Sequence, residues 1–468
     1  MDIDAFEKWS KDLSGWAADY HRTLRDRPVR AQVAYGDTLA QLPEGAPEHP
    51  EEMADVMADL ERIIMPGITH WQHPRFFAYF SANAAPASML AEQIVAALAA
   101  QCMLWQTSPA ATELEIRMME WLRDAMGLPG AFAGVIQDSA SSATLAAVLT
   151  MRERALNWAG NVNGLAGLKA PRIYCSDQVH SSIDRAVWVS GIGQDNLIKL
   201  PGTGPRKGMD LSALRAAIEA DKAAGRLPAG IIAVTGSTGM GACDDIAGIV
   251  KIAKEHDLFV HLDAAWAGSA MICPEFRDIW KGAEDCDSIV FNPHKWLGAQ
   301  FDCSVQFIRD PDALRQTLAI RPEYLKTHGQ SEVTDFSEWS VPLGRRFRAL
   351  KLWFLMRAYG LEGLRARIRN HVAWAQGLEA RLAQEPDFEI TTPTIFSIFT
   401  FCYMRDGADL DALNQELVDT INDDGRIYIT QTFVDGQKVI RFQVGQFDCT
   451  EDDVATAFDV ICEIARGL

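Results

Sequence analysis

The chain has 468 residues and a formal net charge of −19, from 44 basic and 63 acidic side chains. At about 150 residues per domain, this length predicts roughly three folding units, or two if one is a large α/β layer. The negative charge disfavours nucleic acids and anionic membranes as partners. The N-terminus lacks a basic and apolar leader, and no apolar stretch is long enough to span a bilayer. A soluble, cytoplasmic protein is therefore expected.

Nine cysteines are scattered from Cys102 to Cys462, and no two of them form a C-x-x-C pair. This distribution argues against a disulfide framework and against a cysteine zinc site. Reduced thiols in the core and no metal site are predicted.

Two amphipathic helices are predicted in the N-terminal part, at residues 3–24 and 53–64, because apolar residues recur there every three or four positions. Both helices have a large apolar face, and both precede the first predicted strand in the sequence. We therefore expect residues 1–84 to pack on a second subunit, as a helical segment that embraces the partner of a homodimer.

Helices and short apolar strands alternate from residue 85 to residue 352, as in a mostly parallel α/β sheet with covered faces. Each predicted strand ends in small or polar residues, where such sheets bind ligands. The predicted strands are 134–137, 172–176, 230–234, 258–262, 288–291 and 303–308.

The pattern changes again in residues 353–468, which are predicted to form a small α+β domain. Residues 388–403 read as β-rich, 409–421 as a helix, and 428–445 as a hairpin that turns at Asp435 and Gly436.

Glycine-rich strings do not predict a nucleotide site. Residues 202–208 lack the Walker spacing, and Gly236, Gly239 and Gly241 do not form G-x-G-x-x-G.

A lysine and an aspartate at strand ends carry more information. Asp263 closes an apolar strand, where an unpaired carboxylate would be unfavourable to bury, and Lys295 follows the next strand. The segment between them fits one helical crossover, containing residues 273–281, plus a strand, so both side chains can reach one edge of the sheet. Pyridoxal phosphate offers the acid a pyridinium nitrogen and the amine an aldehyde.

Two further features fit the same cofactor. Residues 138–142 place hydroxyls and backbone amides before a helix that begins near Ala143, which is either an ordinary N-cap or a phosphate site. His180 lies four residues beyond a strand end, where it is either structural or stacked on the ring.

Five motifs extend this pattern along nearly the whole chain: HPRFFAYF at 73–80, GVIQDSAS at 134–141, HLDAAWAG at 261–268, NPHKW at 292–296 and PLGRRFR at 342–348. With them the sequence resembles the group II pyridoxal-phosphate decarboxylases, specifically the aromatic L-amino-acid decarboxylases, which include aromatic aldehyde synthases. The resemblance implies the type I aminotransferase fold, with a mostly parallel seven-stranded sheet domain, a small C-terminal domain and a homodimer whose active sites lie at the interface.

The resemblance also implies roles for individual residues. Lys295 forms the Schiff base with pyridoxal 5′-phosphate, Asp263 pairs with the ring nitrogen, and His180 stacks on the ring. The other positions expected to bind the cofactor are Ser139, Ala140, Ser141, Thr238, Ala265, Asn292 and His294. The implied reaction removes CO2 from an aromatic L-amino acid and then protonates Cα, which requires a general acid.

One difference from the family pattern concerns that acid. The stretch 327–339 resembles the family's mobile catalytic loop, and Phe336 is interpreted as standing where a tyrosine delivers the proton. Either another donor such as His180 or water serves and the product is the amine, or the carbanion reacts with O2 and the product is an aldehyde, with ammonia and peroxide. The amine is the first prediction. An aminotransferase and a non-catalytic dimer are further alternatives. The presence of Lys295, Asp263 and His180 together argues against the non-catalytic dimer.

Substrate choice is predicted from four residues. Tyr79, Phe80 and Trp105 offer aromatic surface, and Ser397 matches a position where serine accompanies phenolic or imidazole side chains. Ser81 and Ala82 replace the Pro-Thr of animal relatives, which argues against catechol recognition. Tyrosine or phenylalanine is the first expectation, followed by DOPA or tryptophan.

Overall fold

The computed structural model describes residues 1–320 and 333–468. The contacts divide the chain into two compact units, one formed by residues 1–81 with 373–468 and the other by residues 82–372. The predicted domain boundaries after residues 84 and 352 stay predictions.

Thirteen strands occur in the described residues: β1 Ala133–Gln137, β2 Pro171–Ser176, β3 Leu197–Leu200, β4 Gly202–Thr203, β5 Gly208–Met209, β6 Leu227–Val234, β7 Phe259–Asp263, β8 Ser288–Phe291, β9 Ser304–Ile308, β10 Phe388–Ile395, β11 Ile398–Tyr403, β12 Thr430–Val434 and β13 Gln437–Gln443. The described α-helices are α1 Ile3–Arg22, α2 Met53–Asp59, α3 Pro86–Leu98, α4 Pro109–Met126, α5 Ala140–Ala155, α6 Ala159–Asn163, α7 Ser181–Val189, α8 Leu211–Ala223, α9 Ile246–His256, α10 Pro311–Leu318, α11 Ala349–Leu382, α12 Leu410–Asp424 and α13 Glu451–Gly467.

The larger unit is built on a seven-stranded sheet in the order β1-β9-β8-β7-β6-β2-β3. The predicted seven-stranded, mostly parallel sheet is confirmed. Strand β9 runs antiparallel to both β1 and β8, whereas β8, β7, β6, β2 and β3 are parallel to one another. Strands β1 and β8 therefore point the same way, and the carboxyl ends of six strands lie along one edge.

Apolar residues explain why these strands form the centre of the unit. Strands β2, β7, β8 and β9 are buried along their whole length, as expected where helices cover both faces of a sheet. Helix α5 packs against β1, β6, β7, β8 and β9, and helices α8 and α9 pack against β6.

Two details of the larger unit differ from the sequence-based expectations. The short strand β3 was not among the strands predicted from apolar runs, because only its first and last residues are buried. The crossover predicted as a helix over residues 273–281 is a series of 3₁₀ turns, Ala267–Ile272, Pro274–Trp280 and Ala283–Asp285. The proline at position 274 and the glycine at 282 limit longer helical bonding there.

The smaller unit contains an antiparallel sheet in the order β10-β11-β13-β12, with α12 and α13 packed together. Its core joins aromatic residues of the strands, such as Phe399 and Phe442, to aliphatic residues of the helices. The predicted hairpin is confirmed: β12 and β13 are joined at Asp435 and Gly436, which both have positive φ, as a two-residue hairpin turn requires. Helix α1 belongs to this unit and has no buried residue.

All nine cysteines lie in the described residues, and each of them is buried and free. The prediction of reduced core thiols is therefore confirmed. In residues 1–320 and 333–468, no helix combines the length and the apolar character that crossing a membrane requires.

Candidate active site

The predicted cofactor residues of the larger unit follow the carboxyl ends of five strands. Ser139 follows β1, His180 follows β2, Thr238 follows β6, Asp263 ends β7, and Asn292 follows β8. Because these five strands point the same way, the sheet brings their following residues to one edge.

Lys295 lies on a short turn, Pro293–Leu297, directly after β8. Its N–H donates to the Asn292 carbonyl at 2.9 Å, and its side chain is half-buried. The next residue anchors the turn: the buried Trp296 ring stacks on Trp266 at 4.8 Å between centroids, and its indole N–H donates to His371 Nδ1 at 3.0 Å. The lysine therefore projects from a turn whose backbone is fixed by core packing.

Asp263 is only 5% exposed, and its Oδ1 accepts the Ala265 N–H at 3.0 Å. In the described residues, no arginine or lysine forms an ion pair with it. A carboxylate in such a position is stabilised by a cationic partner, and a protonated pyridine ring supplies that partner. Its chemistry thus fits pyridoxal phosphate.

His180 is the N-cap residue of α7, where its Nδ1 accepts the Ser182 N–H at 3.1 Å and lies 2.9 Å from Ser182 Oγ. Partial burial lowers the pKa of His180, while the Asp263 carboxylate raises it and the Lys295 ammonium lowers it. His180, Asp263 and Lys295 all lie at or just after strand ends at the same edge of the sheet, where the charges of Asp263 and Lys295 act on the His180 ring. With Nδ1 accepting the backbone bond, the neutral ring carries its proton on Nε2.

The predicted phosphate cradle is a helix N-terminus. Ser139 is the N-cap of the 16-residue helix α5, and its Oγ accepts the Ser142 N–H at 3.2 Å. The helix begins at Ala140, three residues earlier than predicted. The Ser139 hydroxyl therefore serves as the cap, and the N–H groups of Ala140 and Ser141 in the first turn are the groups oriented for an anion.

Two residues of the NPHKW motif are held in defined orientations. Asn292 Oδ1 accepts the Ser304 hydroxyl at 2.7 Å, so the amide nitrogen is its donor side. His294 Nδ1 accepts the Cys303 N–H at 2.8 Å, and burial lowers the pKa of His294 to about 3. The ring is therefore neutral and protonated on Nε2, a donor suited to phosphate. Sequence reasoning missed Ser304, because its contact with Asn292 depends on the pairing of β8 with β9.

Thr238 and Ala265 lie on the turns after β6 and β7. Thr238 is at the tip of a turn closed by the Ser237 Oγ, which accepts the Ala242 N–H at 2.9 Å. Gly236 starts this turn with φ of +76°, and a Cβ there would lie 2.6 Å from the Ala267 Cβ, so only glycine fits.

The four predicted substrate residues are divided between the two units. Trp105 lies in the larger unit, where its indole N–H donates to Glu113 at 2.9 Å and its backbone N–H donates to Asp335 at 2.8 Å.

Tyr79, Phe80 and Ser397 belong to the smaller unit. Tyr79 is half exposed and lies against Tyr428, whereas Phe80 is buried beneath the guanidinium of Arg441, 5.0 Å from its ring centre. Ser397 is fully buried, and its hydroxyl donates to the Val444 carbonyl at 2.5 Å. That hydroxyl already has a backbone acceptor, which the sequence could not show.

Phe336 lies in an apolar core of the larger unit. It is 2% exposed and packs with Val135 and Leu314, and the Arg345 guanidinium lies 5.2 Å from its ring centre. The interpretation of Phe336 as standing where a tyrosine delivers the proton stays a prediction, and residues 327–332 of the predicted loop lie outside the described residues.

The family model of the pyridoxal-dependent decarboxylase conserved domain matches residues 36–404. The phenylacetaldehyde synthase of Arabidopsis thaliana is 37% identical, with 100% of this chain and 97% of that protein covered. Tyrosine decarboxylase 2 of Narcissus pseudonarcissus is 38% identical, with 100% and 95% covered.

A similar solved structure is that of Oryza sativa TDC with PLP and tryptamine. It superposes with a TM-score of 0.96 at 33% sequence identity, and the alignment covers 100% of this chain and 99% of that chain. The likeness therefore extends over both units.

Proposed function

The chain belongs to the pyridoxal-dependent decarboxylase family, as a PLP-dependent carboxy-lyase of its aromatic amino acid branch, and we propose that it decarboxylates tyrosine or phenylalanine to the amine and CO2. DOPA and tryptophan are the next candidates. The cofactor is pyridoxal 5′-phosphate. The grouping of Lys295, Asp263 and His180 at one sheet edge carries the proposal.

Pyridoxal 5′-phosphate, when bound, supplies an aldehyde that captures amines and a protonated ring that accepts the electrons released with CO2. We propose that Lys295 Nζ would hold the cofactor through its aldehyde. The buried Asp263 carboxylate would hold a proton at the ring nitrogen, and His180 would contact the ring. The N–H groups of Ala140 and Ser141 bind the phosphate together with the polar side chains of Asn292 and His294.

The last step delivers a proton to Cα of the product. His180 is a candidate because its geometry places the proton on Nε2, the atom opposite the Ser182 contact. Burial that lowers the pKa of the ring keeps it from holding a second proton at neutral pH. Water is the other candidate donor.

A second candidate function is an aromatic aldehyde synthase. The observation that favours it is the 37% identity to a phenylacetaldehyde synthase, against 38% to a tyrosine decarboxylase. In that reaction the amino acid, O2 and water give the aldehyde, CO2, ammonia and H2O2. Oxygen is the oxidant and is reduced by two electrons to peroxide.

A cytoplasmic homodimer is proposed as the working form. Its support is the exposed apolar surface of helix α1, where Ile3, Phe6 and Leu13 are exposed although the helix is amphipathic. Isolated apolar side chains are common at surfaces, but a face of this kind is typical of subunit contacts. Sedimentation of a monomer at micromolar concentration would contradict this proposal.

Borohydride reduction of the PLP-loaded enzyme tests the cofactor assignment. We expect loss of the visible absorbance and a reduced pyridoxyl adduct on Lys295 in peptide mass spectra. An unmodified Lys295 would overturn the proposal. Turnover that requires an added 2-oxo acid would instead indicate an aminotransferase.

A further inference from the structure

The segment that precedes α3 runs along the turn that carries Lys295. The Asn83 N–H donates to the His294 carbonyl at 2.8 Å, and the Asn83 side-chain amide donates to the Lys295 carbonyl at 2.6 Å. Two residues later, the Ala85 N–H donates to the Gly298 carbonyl at 2.9 Å. Asn83 and Ala85 are both buried. Residues 83–85 therefore lie against the lysine turn along its length.

The lysine turn takes its position from donors that lie outside it. Arg367 Nη2 donates to the carbonyls of the two residues after Lys295, at 2.6 and 2.8 Å. Residues 83–85 donate three more hydrogen bonds to this segment. Every carbonyl of residues 294–298 therefore accepts a hydrogen bond from outside the turn. A turn of five residues provides few bonds of its own, so these donors determine where its backbone lies.

Asn83 supplies the bond to the carbonyl of the reacting lysine itself. The side chain is 1% exposed, so water cannot readily replace the bond when the amide is removed. Displacement of a reacting group by about 1 Å can lower a rate about a hundredfold. A small movement of the Lys295 backbone therefore has a large effect at Nζ.

We infer that Asn83 is a positioning residue for Lys295: its amide fixes the lysine backbone, and thereby the place where Nζ meets the cofactor aldehyde. The inference rests on the proposed function, since it requires Lys295 to be the cofactor lysine. Asn83 precedes helix α3 and does not lie at a strand end, unlike the other residues assigned to the cofactor site.

The test compares Asn83→Asp with Asn83→Ala. Asn83→Asp keeps the shape of the side chain but replaces the donating amide by a carboxylate, which only accepts hydrogen bonds. Asn83→Ala removes the amide without adding a buried charge. The matched control is Asn414→Asp, because Asn414 is also fully buried and its Nδ2 donates to the Tyr403 carbonyl at 3.0 Å in the smaller unit.

Apoenzyme of each variant is titrated with PLP and reduced with borohydride, and the fraction of Lys295 carrying the pyridoxyl group is measured by mass spectrometry. Labelling is normalised to the folded fraction from circular dichroism. Both Asn83 variants are expected to need about tenfold more PLP for half-maximal labelling, as for an unsatisfied buried acceptor near the reacting group. The control is expected to melt at a lower temperature with wild-type labelling.

The outcomes separate the two proposals. Wild-type enzyme without label on Lys295 would overturn the proposed function and this inference with it. Labelled wild-type enzyme together with wild-type titrations of both Asn83 variants would overturn the role of Asn83 alone. Weaker labelling in the Asn414 control, equal to that of the Asn83 variants, would also overturn it, because the effect would then be general destabilisation.

Discussion

Phe336→Tyr tests whether this position selects the product. The Phe336 ring is almost fully buried among Val135, Ile308 and Leu314, with Trp339 against its edge at 5.8 Å. A hydroxyl added there is a buried polar group in an apolar cluster, which destabilises a protein by about 1–3 kcal/mol. Because the ring packs in this core, we expect the free energy of unfolding to fall by that amount and the product to stay unchanged.

The assay measures both the stability of the variant and its product. Urea unfolding gives the change in stability, and amine, aldehyde and peroxide are measured together after incubation with an aromatic amino acid in air. Phe307→Tyr is the matched control, since Phe307 is a fully buried ring of strand β9 in the same unit. Both variants are expected to lose stability and to keep the wild-type product ratio.

Tyr324→Phe is the companion variant. Tyr324 is the only tyrosine between residues 319 and 348, and it lies outside the described residues. If a phenol of this segment protonates Cα, it is Tyr324, and its removal should shift the product from amine towards aldehyde and peroxide. A shift caused by Phe336→Tyr, with no loss of stability, would refute the reasoning from burial.

Three further predictions concern the larger unit. Arg345→Met leaves the buried Glu115 carboxylate without its guanidinium partner at 2.5 Å, so the free energy of unfolding should fall by about 3–5 kcal/mol. Adding Glu115→Leu should recover part of that loss. A loss below about 1 kcal/mol in urea unfolding would contradict this prediction. Burial lowers the pKa of His261 to about 4, so the folded state favours the neutral ring: the stability is complete above pH 6.5 and falls as the pH drops towards 4, by about 2 kcal/mol between pH 6.5 and pH 5. His261→Gln should flatten this slope, and an unchanged slope would count against it. Asp263→Asn should lower decarboxylation at least about a hundredfold at saturating PLP, whereas near-normal turnover would remove Asp263 from the mechanism.

The sheet and its strand-end residues could be predicted because local sequence determines both. Apolar runs mark β7 and β8, and polar residues follow them directly, so the sequence alone predicts that Asp263 and Lys295 lie at one edge. The fold keeps that arrangement because parallel strands align their carboxyl ends. The small sheet was likewise readable, since Asp435 and Gly436 are typical of a tight hairpin turn.

Contacts between distant parts of the sequence could not be predicted. Asn83 and Lys295 are 212 positions apart, and nothing in the composition of residues 81–85 indicates which carbonyl the amide meets. The burial of Phe336 could not be predicted for the same reason, because it depends on α10, β1 and Arg345, which only the folded chain assembles. Side-chain burial at such positions follows from packing, not from local pattern.

The central claim is that this chain decarboxylates an aromatic amino acid with Lys295 and PLP. It is tested most directly by incubating the PLP-loaded enzyme in air with tyrosine, phenylalanine, tryptophan and DOPA, and measuring CO2, amine, aldehyde and peroxide together. The account predicts CO2 and amine in equal amounts, fastest from tyrosine or phenylalanine, without peroxide. Aldehyde and peroxide formed in the same amount as CO2 would contradict the amine product and support the aldehyde synthase. No CO2 from any of the four amino acids would contradict the claim as a whole.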